Sequence, residues 1–177
     1  MNKLQVTQLD GEALSPKERA EIIRLCTEAY EEDFSNFFEM MPGTTHLLGR
    51  IEGRLVSHLA WVTRWLQPTG VRLLETAYIE AVATAPADQG RGYASLLLRE
   101  AVERIQDFDI GALSPSDAKF YERLGWELWR GRLGIRTMQG VESTPEDEEV
   151  MVMRLEKTPE LDLKAFLAAE WREGELW

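Results

Sequence analysis

A single cysteine among 177 residues excludes an internal disulfide, and two histidines leave a metal site without support, so none is expected. No apolar run approaches the roughly 18 residues that span a bilayer. Residues 1–10 lack the basic start, apolar centre and small-residue cleavage site of a secretory leader, so a cytoplasmic protein is expected. Basic residues are also scarce: 20 Lys and Arg face 31 Asp and Glu, a net charge of -11. That balance repels a nucleic-acid duplex or an anionic membrane and makes polycations the natural complement. What remains is 44% hydrophobic and 29% charged, long enough for one α/β domain over residues 1–177.

Residues 3–9 alternate apolar and polar positions and predict a first strand. Ser15-Pro16-Lys17-Glu18 then spells a helix start, with Ser15 as cap, Pro16 at the first helical position and Glu18 closing a capping box. The helix is expected to reach about Tyr30 with Cys26 on or near its apolar side, which makes Cys26 a core thiol. Residues 31–45 join acids to Phe34, Phe37, Phe38, Met40 and Met41, predicting an irregular or short helical connection of the kind that often covers a site. Residues 46–51 and 55–66 flank a Glu52-Gly53 turn and read as a hairpin, followed by a third strand over 71–84. Beyond them the pattern predicts a helix over 92–105, a strand over 110–114 and a helix over 116–123 ending at Gly125. A strand through Trp126 and Trp129, a strand over 150–155 and a final short helix over 163–171 complete the reading. His46 and His58 fall on predicted strands and are read as packing or hydrogen-bonding residues.

The segment Gln89-Gly90-Arg91-Gly92-Tyr93-Ala94 lies between a predicted strand and a predicted helix. Its backbone N–H groups can converge on an anion with the helix dipole behind them, and glycine permits the close approach. It has neither a Walker lysine nor the G-x-G-x-x-G spacing, which argues against an NTPase loop or a Rossmann site.

The spacing Gln-x-x-Gly-x-Ala resembles the acetyl-CoA motif of the Gcn5-related N-acetyltransferase (GNAT) superfamily. That resemblance implies an α/β (α+β) fold: a central, mixed but mostly antiparallel twisted sheet flanked by helices, with splayed central strands. It also implies acetyl-CoA as cosubstrate, with Val82 and Thr84 meeting the pantetheine arm and the amides of Arg91, Gly92, Tyr93 and Ala94 meeting the pyrophosphate. Gln89 and Gly90 would shape the turn. A narrower resemblance to aminoglycoside 2′-N-acetyltransferases is carried by residues 78–83, Gly111-Ala112-Leu113-Ser114, Tyr121 before Gly125-Trp126, Thr144-Pro145-Glu146-Asp147 and the tail 170–177. It implies a polycationic small-molecule amine substrate met by Asp33, Glu80, Ser114, Asp147, Glu175 and the α-carboxylate of Trp177, and it favours a homodimer.

Acyl transfer to an amine needs an uncharged nitrogen, so Glu80 is read as the proton acceptor or, equally, as a substrate anchor. By resemblance Tyr121 protonates the departing thiolate, a task its phenol suits. Cys26, with no histidine recognisable beside it, is a poor nucleophile, so direct transfer in a ternary complex is the simpler mechanism. The sequence departs from the narrower family after Asp33, where Glu39 can stand in for a second acid. The apolar loop could instead select another amine or a peptide N-terminus, and a non-catalytic drug- or acyl-CoA-binding module is the third alternative.

Overall fold

The computed structural model describes residues 3–145, 147–174 and 176–177, which divide into two compact units. The first comprises residues 3–62 and 79–101, the second residues 63–78 and 102–177.

In the first unit the capping box forms as expected: Glu18 N donates to Ser15 Oγ at 3.3 Å and Ser15 N donates to Glu18 Oε2 at 2.9 Å. It starts helix α1, Pro16–Tyr30, which stops where Glu31 turns left-handed at φ 56°. The helix buries Ile22, Leu25 and Cys26 against Leu14, Leu48, Leu55 and Ala83. Strand β1, Gln5–Asp10, pairs antiparallel with β2, Thr45–Ile51, and β2 pairs antiparallel with β3, Arg54–Pro68. The β2–β3 turn uses Glu52 and Gly53, both at positive φ (48° and 78°), the combination that matches strand twist in two-residue hairpins. A one-turn helix α2, Phe37–Met40, sits in the 31–45 connection. Strand β3, strand β4 (Leu74–Thr84) and helix α3 (Tyr93–Arg104) each have residues in both units.

In the second unit β5, Ile110–Leu113, lies parallel to β4, and their ladder ends at Tyr78↔Ala112. Helix α4, Ala118–Glu122, begins at Asp117, whose side chain accepts from Lys119 N. It is followed by β6, Glu127–Leu128, with Gly125 between them at φ 92°. Strands β7, Leu133–Thr137, and β8, Gly140–Ser143, form a hairpin that the sequence reading did not contain. Strand β9, Met151–Arg154, pairs antiparallel with β5 and β6. The fold class is as expected: mixed α/β with a mostly antiparallel sheet.

The predicted final helix over 163–171 is corrected to a strand, β10, Leu167–Glu170, parallel to β7 and antiparallel to β3. Two facts explain it. Leu167, Ala168 and Ala169 are all buried, so the strand shows no alternation to distinguish it from a buried helix. The carbonyls ahead of it are already used: Leu163 accepts from the amides of Arg130 and Gly131, and Ala165 accepts from Trp129 Nε1. Gly131 permits this approach, since a Cβ there would collide with the Ala165 carbonyl. Among the described residues no helix is long and apolar enough to cross a membrane.

Candidate functional site

Three of the sequence-predicted residues, Glu80, Val82 and Thr84, surround a break in regular strand geometry. Ala81 has φ 50°, a left-handed conformation that costs a non-glycine residue about 1–3 kcal/mol and persists only where the surroundings enforce it. Side chains from neighbouring elements bond the carbonyls here. His58 Nδ1 lies 2.9 Å from Ala81 O, Tyr30 Oη donates to Val82 O at 2.9 Å, and Ser57 Oγ donates to Ala83 O at 3.0 Å. Gln89 Nε2 reaches back to Thr84 O at 3.3 Å, which ties the glycine turn to the strand's end. Glu80 and Val82 are half-buried on either side of the kink.

The turn itself holds Gly90 at φ 74° and Gly92 at φ 80°, and a Cβ at either would meet nothing within 4 Å. Both the left-handed backbone and the open approach are what an anion-binding loop needs. Leu96 N is bonded to Gly92 O, so α3 starts its ladder there, and the amides just ahead are the ones a helix leaves without intrahelical partners. Below the turn, Asp88 is buried and receives Arg54 Nη1 at 2.7 Å and Nη2 at 3.3 Å, with Arg91 Nη1 at 3.7 Å. The Arg54 hydrogen bond holds the Asp88 carboxyl below its ordinary pKa. Nothing local in the sequence announces a pair 34 residues apart.

Asp33 is exposed and accepts from Ser35 N at 2.9 Å and Ser35 Oγ at 3.0 Å, which lowers its pKa. The rings of Phe34, Phe37 and Phe38 pack on one another, and Phe37 is buried. Cys26 does have a histidine beside it, contrary to the sequence reading: His58 Nδ1 is 3.8 Å from its sulfur. The conclusion holds for another reason, because burial pushes the thiol up to about 12.

In the second unit Tyr121 is buried, edge-on to Phe120 and Trp126. Burial pushes its phenol up to about 12, with the Ser116 hydrogen bond opposing and Asp117 adding to the shift. It therefore holds its proton at neutral pH and can act as an acid. Ser114 and Asp147 are exposed, whereas Trp177 is buried. Glu175 lies outside the described residues.

Sequence reasoning missed Arg64, buried at 1% exposure, which donates from Nη1 to Leu176 O at 2.7 Å and from Nη2 to Glu170 O at 3.0 Å. Its guanidinium lies 4.9 Å over the Tyr78 ring, and Arg172 lies 5.5 Å over the same ring. The period of two along β3 was the available signal, since it sets Arg64 on one face with Leu66 and Pro68. Also missed were the buried Thr144 Oγ1 and Glu148 Oε2, which, with Trp177 Nε1, have no hydrogen-bond partner among the described residues. Buried polar atoms in that condition are unusual and suit a polar ligand. No cluster of three or more His, Cys, Asp or Glu able to hold a metal occurs among the described residues.

The chain thus presents a kinked strand followed by a glycine turn at a helix start. The Acetyltransferase (GNAT) domain model matches residues 12–129, and the chain belongs to the GNAT superfamily of acetyltransferases, a family that uses acetyl-CoA. It is 35% identical over 164 residues to an aminoglycoside 2′-N-acetyltransferase from Mycolicibacterium fortuitum, covering 87% of this chain and 82% of that protein. A GNAT family N-acetyltransferase from Escherichia coli, solved in complex with CoA, superposes with TM-score 0.65 at 17% identity, over 97% of this chain and 92% of that one. A Gcn5-related N-acetyltransferase from Kribbella flavida has TM-score 0.57 at 23% identity over 73% of this chain, which spans only 34% of that protein's length.

Proposed function

We propose that this single GNAT domain moves the acetyl group of acetyl-CoA directly onto the 2′-amine of an aminoglycoside. The observation that carries this reading is the 35% identity, over most of both chains, to a protein of that activity. The acidic composition supports it, because a polycation is drawn to a surface of net charge -11.

Each residue has a chemical task in this reading. The open backbone at Gly90 and Gly92 and the amides of Arg91, Gly92, Tyr93 and Ala94 bind the pyrophosphate, while Gln89 braces the turn and the backbone of Val82 and Thr84 aligns the pantetheine. Asp33, Glu80, Ser114, Asp147, Glu175 and Trp177 receive the ammonium and hydroxyl groups, and the unpaired oxygens of Thr144 and Glu148 add to them. Glu80 takes a proton from the attacking nitrogen, whose lone pair forms the new C–N bond. As the C–S bond breaks, Tyr121 returns a proton to the sulfur. The phenol is protonated at neutral pH, so the proton is in place for that step, while burial makes it a weaker acid than a free tyrosine.

Thiol release should rise when a 2′-amino aminoglycoside is added to protein and acetyl-CoA, with NMR locating the acetyl group on the 2′-nitrogen. Turnover of a 2′-hydroxy analogue, without turnover of 2′-amino compounds, would exclude the regiochemistry. The same panel includes simpler amines and peptide N-termini. Unchanged ligand after prolonged incubation would favour a binding module instead.

A further inference from the structure

Two buried imidazoles lie end to end beneath the kinked strand. His46 Nδ1 is 3.0 Å from His58 Nε2, Thr44 Oγ1 is 2.7 Å from His46 Nε2, and His58 Nδ1 is 2.9 Å from Ala81 O. With both rings neutral, one end of this chain fixes every proton in it. A carbonyl can only accept, so His58 carries its proton on Nδ1 and its Nε2 accepts. His46 must then donate from Nδ1, which leaves its Nε2 to accept the Thr44 hydroxyl. For two neutral rings, each bond is satisfied only as a pair of Nδ1–H tautomers. Burial supports that state, pushing His46 down to about 4, with Arg19 adding to the effect, and His58 down to about 3, with His46 adding.

We propose that Thr44, His46 and His58 form a positioning chain whose output is the Ala81 carbonyl. The chain holds residue 81 in its left-handed conformation and so sets the direction of Glu80 on one side and Val82 on the other. This role rests on the reading of Glu80 and Val82 as residues of the acetyl-transfer site. None of the three chain members touches a reacting atom in it. Two neutral histidines at 0% exposure are costly to bury, and apolar side chains could fill the same space beside Cys26 and Phe37. What apolar side chains could not supply is a donor to Ala81. The rings are also held in orientation, with Phe37 edge-on at 6.2 Å to His46 and 6.4 Å to His58, and Phe38 at 5.6 Å from His46.

The chain contains only these two histidines, so a protein labelled with ring-¹⁵N histidine gives two spin systems and no ambiguity. At pH 7 both should be neutral Nδ1–H tautomers, and an Nε2–H tautomer at His58 would overturn the proposal. Kinetics supply the second arm. His58→Ala should lower kcat by about 10- to 100-fold, the scale of a misplacement near 1 Å, with a smaller change in KM for the amine. His58→Asn keeps an amide donor near the Nδ1 position and should recover most of the loss. Ala81→Gly in the His58→Ala background should recover part of it, because glycine adopts positive φ unaided. Equal impairment of His58→Ala and His58→Asn, or activity of His58→Ala within about twofold of the unsubstituted protein, would refute positioning. If His58→Ala does not fold, His46→Ala removes the donor to His58 Nε2 while leaving the Ala81 bond, so His58 should stay Nδ1–H with kcat lowered less than in His58→Ala; an unchanged kcat refutes the chain. The spectra need no turnover, so a protein that acetylates nothing yet shows both Nδ1–H rings would refute the acetyl-transfer reading and leave the chain intact.

Discussion

The guanidinium of Arg64 lies 5.9 Å from the centre of the Trp177 ring and donates to the carbonyl of the preceding Leu176 at 2.7 Å. A buried cation so used latches the last residues of the chain to β3. Arg64→Met would leave the Leu176 and Glu170 carbonyls without their donor, and breaking buried charged contacts of this kind costs about 3 kcal/mol. For a chain of this length the melting temperature should fall by about 6–12 °C. If the tail serves the amine, KM for the aminoglycoside should rise with little change in KM for acetyl-CoA. Equal rises in both would place the effect in general destabilisation.

Asp88 anchors the glycine turn through Arg54, and its oxygens are the common target of Arg54 and Arg91. Asp88→Asn weakens both contacts without changing volume. If the turn binds acetyl-CoA as proposed, the expected result is an acetyl-CoA KM raised by about tenfold with kcat little changed. A change confined to kcat would assign Asp88 a different role. Steady-state titration of acetyl-CoA at saturating amine decides it.

What could be read from sequence was local. Ser15 and Glu18 are three residues apart, and the glycines of the turn are adjacent to the helix they start, so both arrangements were legible. Long-range relationships were not: His58 and Ala81 are separated by 23 residues, Arg64 and Leu176 by 112, and no periodicity encodes such partners. β10 was misread because burial on both faces removes the alternation that marks a strand. The hairpin of β7 and β8 went unseen for a related reason, as β8 is exposed throughout and shows no apolar face. The resemblance identified the kinked segment 78–83, but the reason Ala81 can hold its conformation lies in β3.

Stability should fall as the solution is made mildly acidic, and two residues account for it. His46 and His58 have folded pKa values of about 4 and about 3, below the unfolded value near 6.5. The unfolded chain therefore binds protons first, and the stabilising contribution, complete above about pH 6.5, is lost progressively below it. Between pH 6.5 and 5 the loss is about 2 kcal/mol per histidine, at about 1.4 kcal/mol per pH unit. The carboxyls of Glu18, Asp33, Asp88 and Asp109 are all lowered, so they act only at more acid pH. Urea unfolding at pH 7 and pH 5 should show the difference, and replacing both histidines should flatten it.

Tyr121 offers the sharpest separation of roles in the proposed chemistry. Removing its hydroxyl as Tyr121→Phe keeps the ring that packs edge-on against Phe120 and Trp126, so folding should be little affected. If the phenol protonates the departing thiolate, kcat should fall by about 10²-fold, within the range of general acid catalysis, while KM for both substrates stays near its original value. The alkaline limb supplies an independent check. With the phenol pushed up to about 12, the proton is still in place at pH 10, so no loss of kcat from this group should be seen below that pH. Glu80→Gln should instead remove the acid limb if Glu80 is the base, and raise amine KM without altering that limb if it is an anchor. A Tyr121→Phe enzyme with unchanged kcat would reduce the tyrosine to packing and leave solvent as the acid.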